Sequence, residues 1–313
     1  MNHPFFSIVI PTFNRANLVR AAIASVQGQT FPDWEVIVID DGSSDDTGAV
    51  IAGLKDPRVR YFFQPNQGKS AARNAGILRA QGLFICFLDS DDYYLANHLE
   101  ALYSVILQQE KKVGIFRTGM LVEGQTGMRE MPLYTPASGV APLEFFARNM
   151  VGTDSLCIHR CALEQERFDT RFLFFQDTHL FLRLLSRYPF FQIPKYTCVC
   201  REHGGRSSYD LFRSADAAAQ TLNNVAAIRN LFEEYGHLFA GKLPPWMEDF
   251  LVSEKFLDHA SGALTAGKYG LALRWLFNSL RYNRRGWFFI RYVKLLALFP
   301  IKLLTGKPRF PDA

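Results

Sequence analysis

Four short apolar runs punctuate the N-terminal part of the chain: FSIVIP (6–11), WEVIVID (34–40), VRYFF (59–63) and LFICFL (83–88). They are near-continuous and rich in β-branched and aromatic residues, the pattern of strands buried on both faces. Between them, stretches at about 16–28, 45–54 and 69–81 carry helical spacing, and Ser43 and Ser44 ahead of Asp45 and Asp46 supply an N-cap signal for the second. This alternation predicts right-handed crossovers and an α/β fold, a Rossmann-like, mostly parallel sheet with helices on both faces. Ligands of such sheets collect beyond the carboxyl ends of the strands. Thr12, Asn14 and Arg15 follow the first run, Asp40 and Asp41 end the second, and Asp89 to Asp92 follow the fourth. Three strand ends are therefore expected to meet at one crevice.

The texture loosens over 116–210, where Gly/Pro punctuation (EGQTG, LYTPASG) separates short apolar segments. This reads as mixed α+β structure against the sheet edge, ending in a strand near KYTCVCR. From 211 onwards the pattern is helical, broken at Pro244–Pro245 and Pro300. The expected organisation is 1–115 and 116–210 as two halves of one α/β domain, with 211–313 as a helical C-terminal region.

The 313 residues, 48% hydrophobic and 21% charged, describe a globular chain able to bury a sizeable core. Five cysteines without a small-domain disulfide pattern favour a reducing compartment. The start MNHPFFSIVIPTFN lacks a basic n-region and a small-residue cleavage site, and no apolar run is long enough to span a bilayer, so a cytoplasmic protein is expected. The net charge of +5 hides an asymmetry: 268–313 holds ten Lys/Arg against Asp312, giving +9, and the preceding residues carry −4. Aromatic, aliphatic and basic residues recur at helical spacing in 270–313, as in a helix lying on an anionic membrane surface at the inner face. The alternative is a helical subdomain packed on the body with snorkelling basic side chains. No nucleic-acid partner is expected.

FLDSDDYY (87–94) places Asp89, Asp91 and Asp92 directly after a buried run. In an extended segment Asp89 and Asp91 project to one side and Ser90 to the other. Two carboxylates on one side suit a hard divalent cation, Mg²⁺ or Mn²⁺, with room left for phosphate oxygens. The competing reading is an acidic turn whose Asp92 caps a helix beginning near Leu95. Asp40–Asp41–Gly42–Ser43 is either a tight strand-to-helix turn or a carboxylate for a ligand base or ribose hydroxyl. In NQGKSAARNAG (66–76), Gly68-Lys69-Ser70 echoes a P-loop, but Phe63 stands where that motif needs its first glycine, and no G-x-G-x-x-G occurs. Arg73 and Asn74 are exposed helix residues, or Arg73 faces the crevice and pairs with acid or phosphate. Cys157, His159, Cys161, Cys198, Cys200 and His203 could be imagined around zinc, but their spacings are not those of structural zinc motifs.

SIVIPTFNRANLVRAAIASVQGQTFPDWEVIVIDDGSSDDT and NQGKSAARNAGILRAQGLFICFLDSDD together resemble the nucleotide-binding half of family 2 glycosyltransferases, which have the GT-A fold. The resemblance resumes at RFDTRFLFFQDTHLFLRLL (167–185) and CREHGGRSS (200–208). It implies that Pro11, Thr12 and Arg15 line a nucleotide pocket and that Asp41 hydrogen-bonds a uracil-type base. Arg73, Asp89 and Ser90 fall on the same nucleotide side, with Asp89 touching ribose or metal. Asp91 would be the direct metal ligand, and His203, with Arg206 and Ser207, would close over the diphosphate and join the metal. Asp177 matches the family's catalytic base, with Gln176 where the family often has Glu; its competing reading is a helix N-cap.

The implied activity is inverting, metal-dependent transfer from a nucleotide-diphosphate sugar, a UDP-sugar, to a saccharide or lipid-linked saccharide in surface polysaccharide synthesis. One carboxylate base and a stabilised leaving group suffice for such a displacement. The alternatives are a non-catalytic relative binding nucleotide sugar or glycan, and a sugar nucleotidyltransferase. The second would want a Gly-rich phosphate loop after the first strand, and PTFNRAN has no glycine. A polysaccharide synthase usually brings spanning helices.

Overall fold

The computed structural model describes residues 3–135, 141–149, 152–202, 217–283, 292–293 and 295–296. The chain forms two compact units, 1–203 and 204–313.

In the first unit, β1 (Phe6–Thr12), α1 (Ala16–Gln27), β2 (Trp34–Asp40), α2 (Thr47–Ala52), β3 (Val59–Phe63), α3 (Lys69–Arg79) and β4 (Phe84–Phe87) alternate. The apolar runs thus become strands within a residue of their sequence limits. β3, β2, β1 and β4 lie side by side and parallel, with Thr12 opposite Asp40. All seven residues of β2 are buried, as a strand covered on both faces requires. The N-cap expected from Ser43 and Ser44 is not formed: Asp46 precedes α2 without a side-chain cap bond. Ser43 Oγ instead accepts from Asn14 N at 2.8 Å and Ser44 N donates to Asn14 Oδ1 at 2.8 Å, which ties the loops after β1 and β2 together.

The sheet continues through β5 (Tyr93–Tyr94), α4 (His98–Gln108), β6 (Ile115–Gly124), β7 (Gly127–Glu130), α5 (Pro142–Arg148), β8 (Leu156–His159), α6 (Arg160–Gln165), α7 (Gln176–Arg187) and β9 (Phe190–Arg201). The strand order is β3-β2-β1-β4-β8-β6-β9-β5, with β7 paired to β6. β8 runs antiparallel to both β4 and β6, and β9 lies parallel to β6 with register shifts between Arg117 and Met120. One mixed sheet therefore runs from β1 to β9. β8 is entered by a 3-10 turn at Thr153–Ser155, which sets that turn beside the end of β4.

Side-chain alternation sorts the sheet into two layers. Phe6, Ile8 and Ile10 of β1 join Val36 and Val38 of β2 and Val19, Ile23 and Val26 of α1 on one face. Ile37 and Ile39 pack with Ala72 of α3 on the other. Gly76 makes this second layer thin: a Cβ there would stand 2.3 Å from Val9 Cγ1. The close approach of α3 has a consequence one turn earlier, where Arg73 points inward and is wholly buried.

The second unit contains α8 (Ala217–Phe239), α9 (Met247–Thr265) and α10 (Tyr269–Tyr282). Phe256 of α9 stacks on Trp275 of α10 at 5.4 Å between centroids, and Ser253 Oγ donates to Ser279 O at 3.1 Å in the same buried seam. The other face of α10 leaves Leu273, Phe277 and Leu280 exposed beside Arg274 and Arg281. Among the described residues no helix is long and apolar enough to cross a membrane.

Gly76→Ala tests the thin layer. Overpacking against Val9 should lower unfolding free energy by about 1–3 kcal/mol, read as a lower denaturant midpoint at unchanged slope. A midpoint equal to that of the parent protein would show that α3 does not need the contact.

Candidate active site

The loops after β1 and β2 form one wall. Asp40 is buried and structural: Oδ1 accepts from Ser43 N at 2.8 Å and Oδ2 from the Tyr61 hydroxyl at 2.7 Å. Asp41 organises the start of α3. Its Oδ1 accepts from Gln64 Nε2 at 2.7 Å and Gln67 N at 3.0 Å, and its Oδ2 from Gly68 N at 2.7 Å. Gly68 sits at φ 87°, a conformation glycine adopts without Cβ strain, so the loop turns sharply into α3 above this carboxylate. Thr12 is buried with no hydrogen-bond partner for its hydroxyl among the described residues, and Pro11 beside it is half-buried.

The acidic segment does not stay extended. Asp92 N donates to Asp89 O at 3.0 Å, closing a turn over 89–92, so the side-chain alternation assumed for Asp89 and Asp91 is lost. Asp91 is buried and ion-paired to Arg15, Nη1 to Oδ2 2.8 Å. Asp92 caps no helix, since α4 starts at His98 behind Asn97, and its Oδ1 accepts from Arg201 N at 2.9 Å. Ser90 is buried within the turn.

The turn instead gathers Asp89, Asp92 and Asp154, one carboxylate oxygen of each lying within 4.8 Å of the others. Asp154 comes from the 3-10 turn ahead of β8, and its Oδ1 accepts from Asp89 N at 2.6 Å. Burial first, then the charges of Asp89 and Asp92, push the Asp154 carboxyl well above the usual range. The three carboxyl groups form an all-oxygen donor set that fits a hard divalent cation, whose charge would favour their ionised form. No Cys/His set among the described residues gathers in this way, and Cys157 and Cys198 are buried free thiols. His203, with Arg206 and Ser207, lies outside the described residues.

Arg73, 0% exposed, lies between two carboxylates that are not sealed. Nη2 donates to Asp89 Oδ1 at 2.7 Å and to the Thr153 hydroxyl at 3.0 Å, and Nη1 donates to Asp177 Oδ1 at 2.8 Å. The Asp89 and Asp177 side chains remain 29% and 26% exposed. Burial opposes the Arg73 charge, but Asp177 and Asp89 outweigh it and hold its pKa above the ordinary value. Arg73, expected on the nucleotide side, offers no exposed surface in this structure.

Asp177 lies in the first turn of α7, and the N-cap position belongs to Phe175, so the capping alternative does not hold. Phe175 has φ 64°, an uncommon backbone for an aromatic residue, and it turns the chain so that Asp177 meets Arg73. Gln176 is buried with both amide atoms unpartnered among the described residues.

Asp89, Arg73 and Asp177 are thus brought together, and Arg15 and Asp91 pair with each other. Sequence reasoning missed Asp154 and Thr153; the signal available was an isolated TDS ahead of the apolar LCIH.

Residues 7–153 match the family model described as Glycosyl transferase family 2. WcaA of Escherichia coli K12, provisionally named a colanic acid biosynthesis glycosyl transferase, is 31% identical over 60% of this chain and 68% of its own. A Campylobacter jejuni GalNAc(5)-diNAcBac-PP-undecaprenol beta-1,3-glucosyltransferase is 46% identical over 32% of this chain and 33% of its own, so the similarity spans about a third of that relative. In shape, the chain resembles S. aureus TarS 1–349 in complex with UDP-GlcNAc, with TM-score 0.57 and 16% identity over 98% of this chain and 94% of that one. The architecture is that of the GT-A fold.

The acidic turn makes a prediction that separates two ligand sets. Asp154→Asn should weaken Mn²⁺ binding by about tenfold or more, whereas Asp91→Asn should change it by less than about threefold. Calorimetric titration with UDP present measures both, and the reverse order would return the cation to the Asp89–Asp91 pair.

Proposed function

The chain belongs to glycosyl transferase family 2, and within that family we propose that it is an inverting, metal-dependent enzyme. It moves a hexose from a UDP-sugar to a saccharide or lipid-linked saccharide acceptor in surface polysaccharide synthesis. The observation that carries the reading is the pairing of Asp89, after β4, and Asp177, in the first turn of α7, two partly open acids on one buried guanidinium. The UDP-GlcNAc complex of TarS and the undecaprenol-linked name of the Campylobacter relative support the donor and acceptor classes.

In this reading Pro11, Thr12, Arg15 and Asp41 line the nucleotide side, Ser90 adds to that wall, and Asp89 faces the ribose and diphosphate. Asp41 can hold the α3 loop and still accept a base N–H, since a carboxylate offers about four acceptor sites and three are in use. The cation site is assigned to Asp89 with Asp92 and Asp154, and His203 is a further candidate ligand. A bound Mn²⁺ or Mg²⁺ supplies Lewis-acid stabilisation of the departing diphosphate.

Inversion needs one displacement. Asp177 takes the proton of the acceptor hydroxyl as its oxygen attacks the anomeric carbon, the bond to the diphosphate breaks, and no enzyme nucleophile intervenes. Arg73 Nη1 donates to Asp177 Oδ1 at 2.8 Å and holds that carboxylate in place.

We also propose a peripheral membrane role for the C-terminal region. Leu273, Phe277 and Leu280 form an exposed apolar stripe on α10 flanked by Arg274 and Arg281, which suits an anionic lipid surface. It would bring the enzyme to a lipid-linked acceptor at the inner face of the membrane.

A panel of nucleotide sugars screened with and without Mn²⁺ for slow hydrolysis should give turnover of a UDP-hexose that chelation abolishes. Asp177→Asn should lower that turnover by about 10²–10⁴-fold while calorimetric UDP binding persists; unimpaired turnover would move the base elsewhere. For the membrane role, the intact protein should float with vesicles containing anionic lipid and a chain lacking 270–313 should not. Equal recovery of the two would reject it.

A further inference from the structure

Asp177 sits at the end of a segment that two consecutive residues of α3 grip from both ends. Asn74 makes a reciprocal pair with the backbone of Phe168: Nδ2 donates to Phe168 O at 2.8 Å, and Phe168 N donates to Oδ1 at 3.0 Å. Its neighbour Arg73 bonds the Asp177 carboxylate, and the Phe168 ring lies against the same guanidinium, 5.3 Å from Cζ to centroid. Upstream of Phe168 the segment is also tied to α7, because Arg183 pairs with Glu166 and Arg183 Nη2 donates to Arg167 O at 2.6 Å. Between these anchors run residues 169–175, outside any helix or strand and ending in the left-handed Phe175.

We infer that Arg73 and Asn74 are positioning residues for the base, and that Arg73 sets the distance between the base and the donor-side carboxylate Asp89. The inference rests on reading Asp177 as the base. Arg73 is 0% exposed and its Nη groups already have protein acceptors, so it acts through Asp177 and Asp89 and not by touching nucleotide. A guanidinium presents two nitrogens in a rigid planar fork, which lets one side chain hold two acids at a fixed separation. Lysine has one nitrogen on a flexible stem and cannot reproduce that span. Asn74 adds a backbone clamp with its amide oriented both as donor and acceptor. The grip ties α3, the element that Asp41 starts, to the helix that bears the base.

The experiment compares Arg73→Lys, Asn74→Ala and Asp177→Asn, singly, and Arg73→Lys with Asp177→Asn. UDP affinity is read by calorimetry, and kcat and KM by hydrolysis of the UDP-hexose that the parent protein turns over fastest. Arg73→Lys should lower kcat by about 10²-fold with UDP Kd and donor KM within about threefold. Asn74→Ala, which leaves both carboxylates and the arginine in place, should lower kcat by about tenfold with KM unchanged. In the Asp177→Asn background, Arg73→Lys should cost less than about a further threefold, because the base that it positions is already gone. A UDP Kd weakened more than about tenfold by Arg73→Lys, an additive loss in the double variant, or unchanged kcat in Asn74→Ala would each overturn the inference. Full activity of Asp177→Asn would instead overturn the assignment of the base. Should Arg73→Lys fail to fold, the Asn74→Ala split between kcat and KM decides alone.

Discussion

A fully buried guanidinium governs the arrangement of this site. Taken out of water without partners, such a cation costs several kcal/mol. Arg73 must therefore be met by acceptors, and Asp89, Asp177 and the Thr153 hydroxyl meet it. The acceptors come from the end of β4, the start of α7 and the turn ahead of β8, so satisfying one side chain draws three distant pieces of sequence to one point. Gly76 is the cause upstream: lacking a Cβ, it lets α3 press onto β1 and sends Arg73 below the crevice floor. The arginine is sealed, whereas the two acids that meet it stay partly exposed.

The N-terminal half was legible because β1, β2 and β4 are almost wholly buried and read as unbroken apolar runs. β3, at the sheet edge, is only partly buried, yet β2 and β3 have the limits that WEVIVID and VRYFF predict. Strand ends then located Thr12, Asp41 and Asp89 by topology. Side-chain direction was less legible. Alternation assigned Asp89 and Asp91 to one side, but the Asp89–Asp92 turn cancels it and gives Asp91 to Arg15. Asp154 escaped notice because it lies in a 3-10 turn before a four-residue strand, too short for any periodic signal. The inward course of Arg73 had its signal in Gly76, which only the contact with Val9 makes readable.

The family match ends at Thr153, the residue whose hydroxyl holds Arg73, whereas Asp177 lies beyond it. Asp89 and Asp177 are thus carried by differently recognisable stretches of chain, and Arg73 of α3 binds both. Within the second unit, Ser253, Ser279 and the Phe256–Trp275 stack hold α9 to α10, which frees the opposite face of α10 to be apolar and basic at once.

The most direct measurement is a crystal structure of the protein grown with UDP and Mn²⁺. The uracil is expected beside Asp41, the ion on Asp89 and the diphosphate next to it, with Arg73 still bonded to both Asp89 and Asp177. A nucleotide bound elsewhere, or Asp177 released from Arg73 and turned away from the diphosphate, would contradict that arrangement.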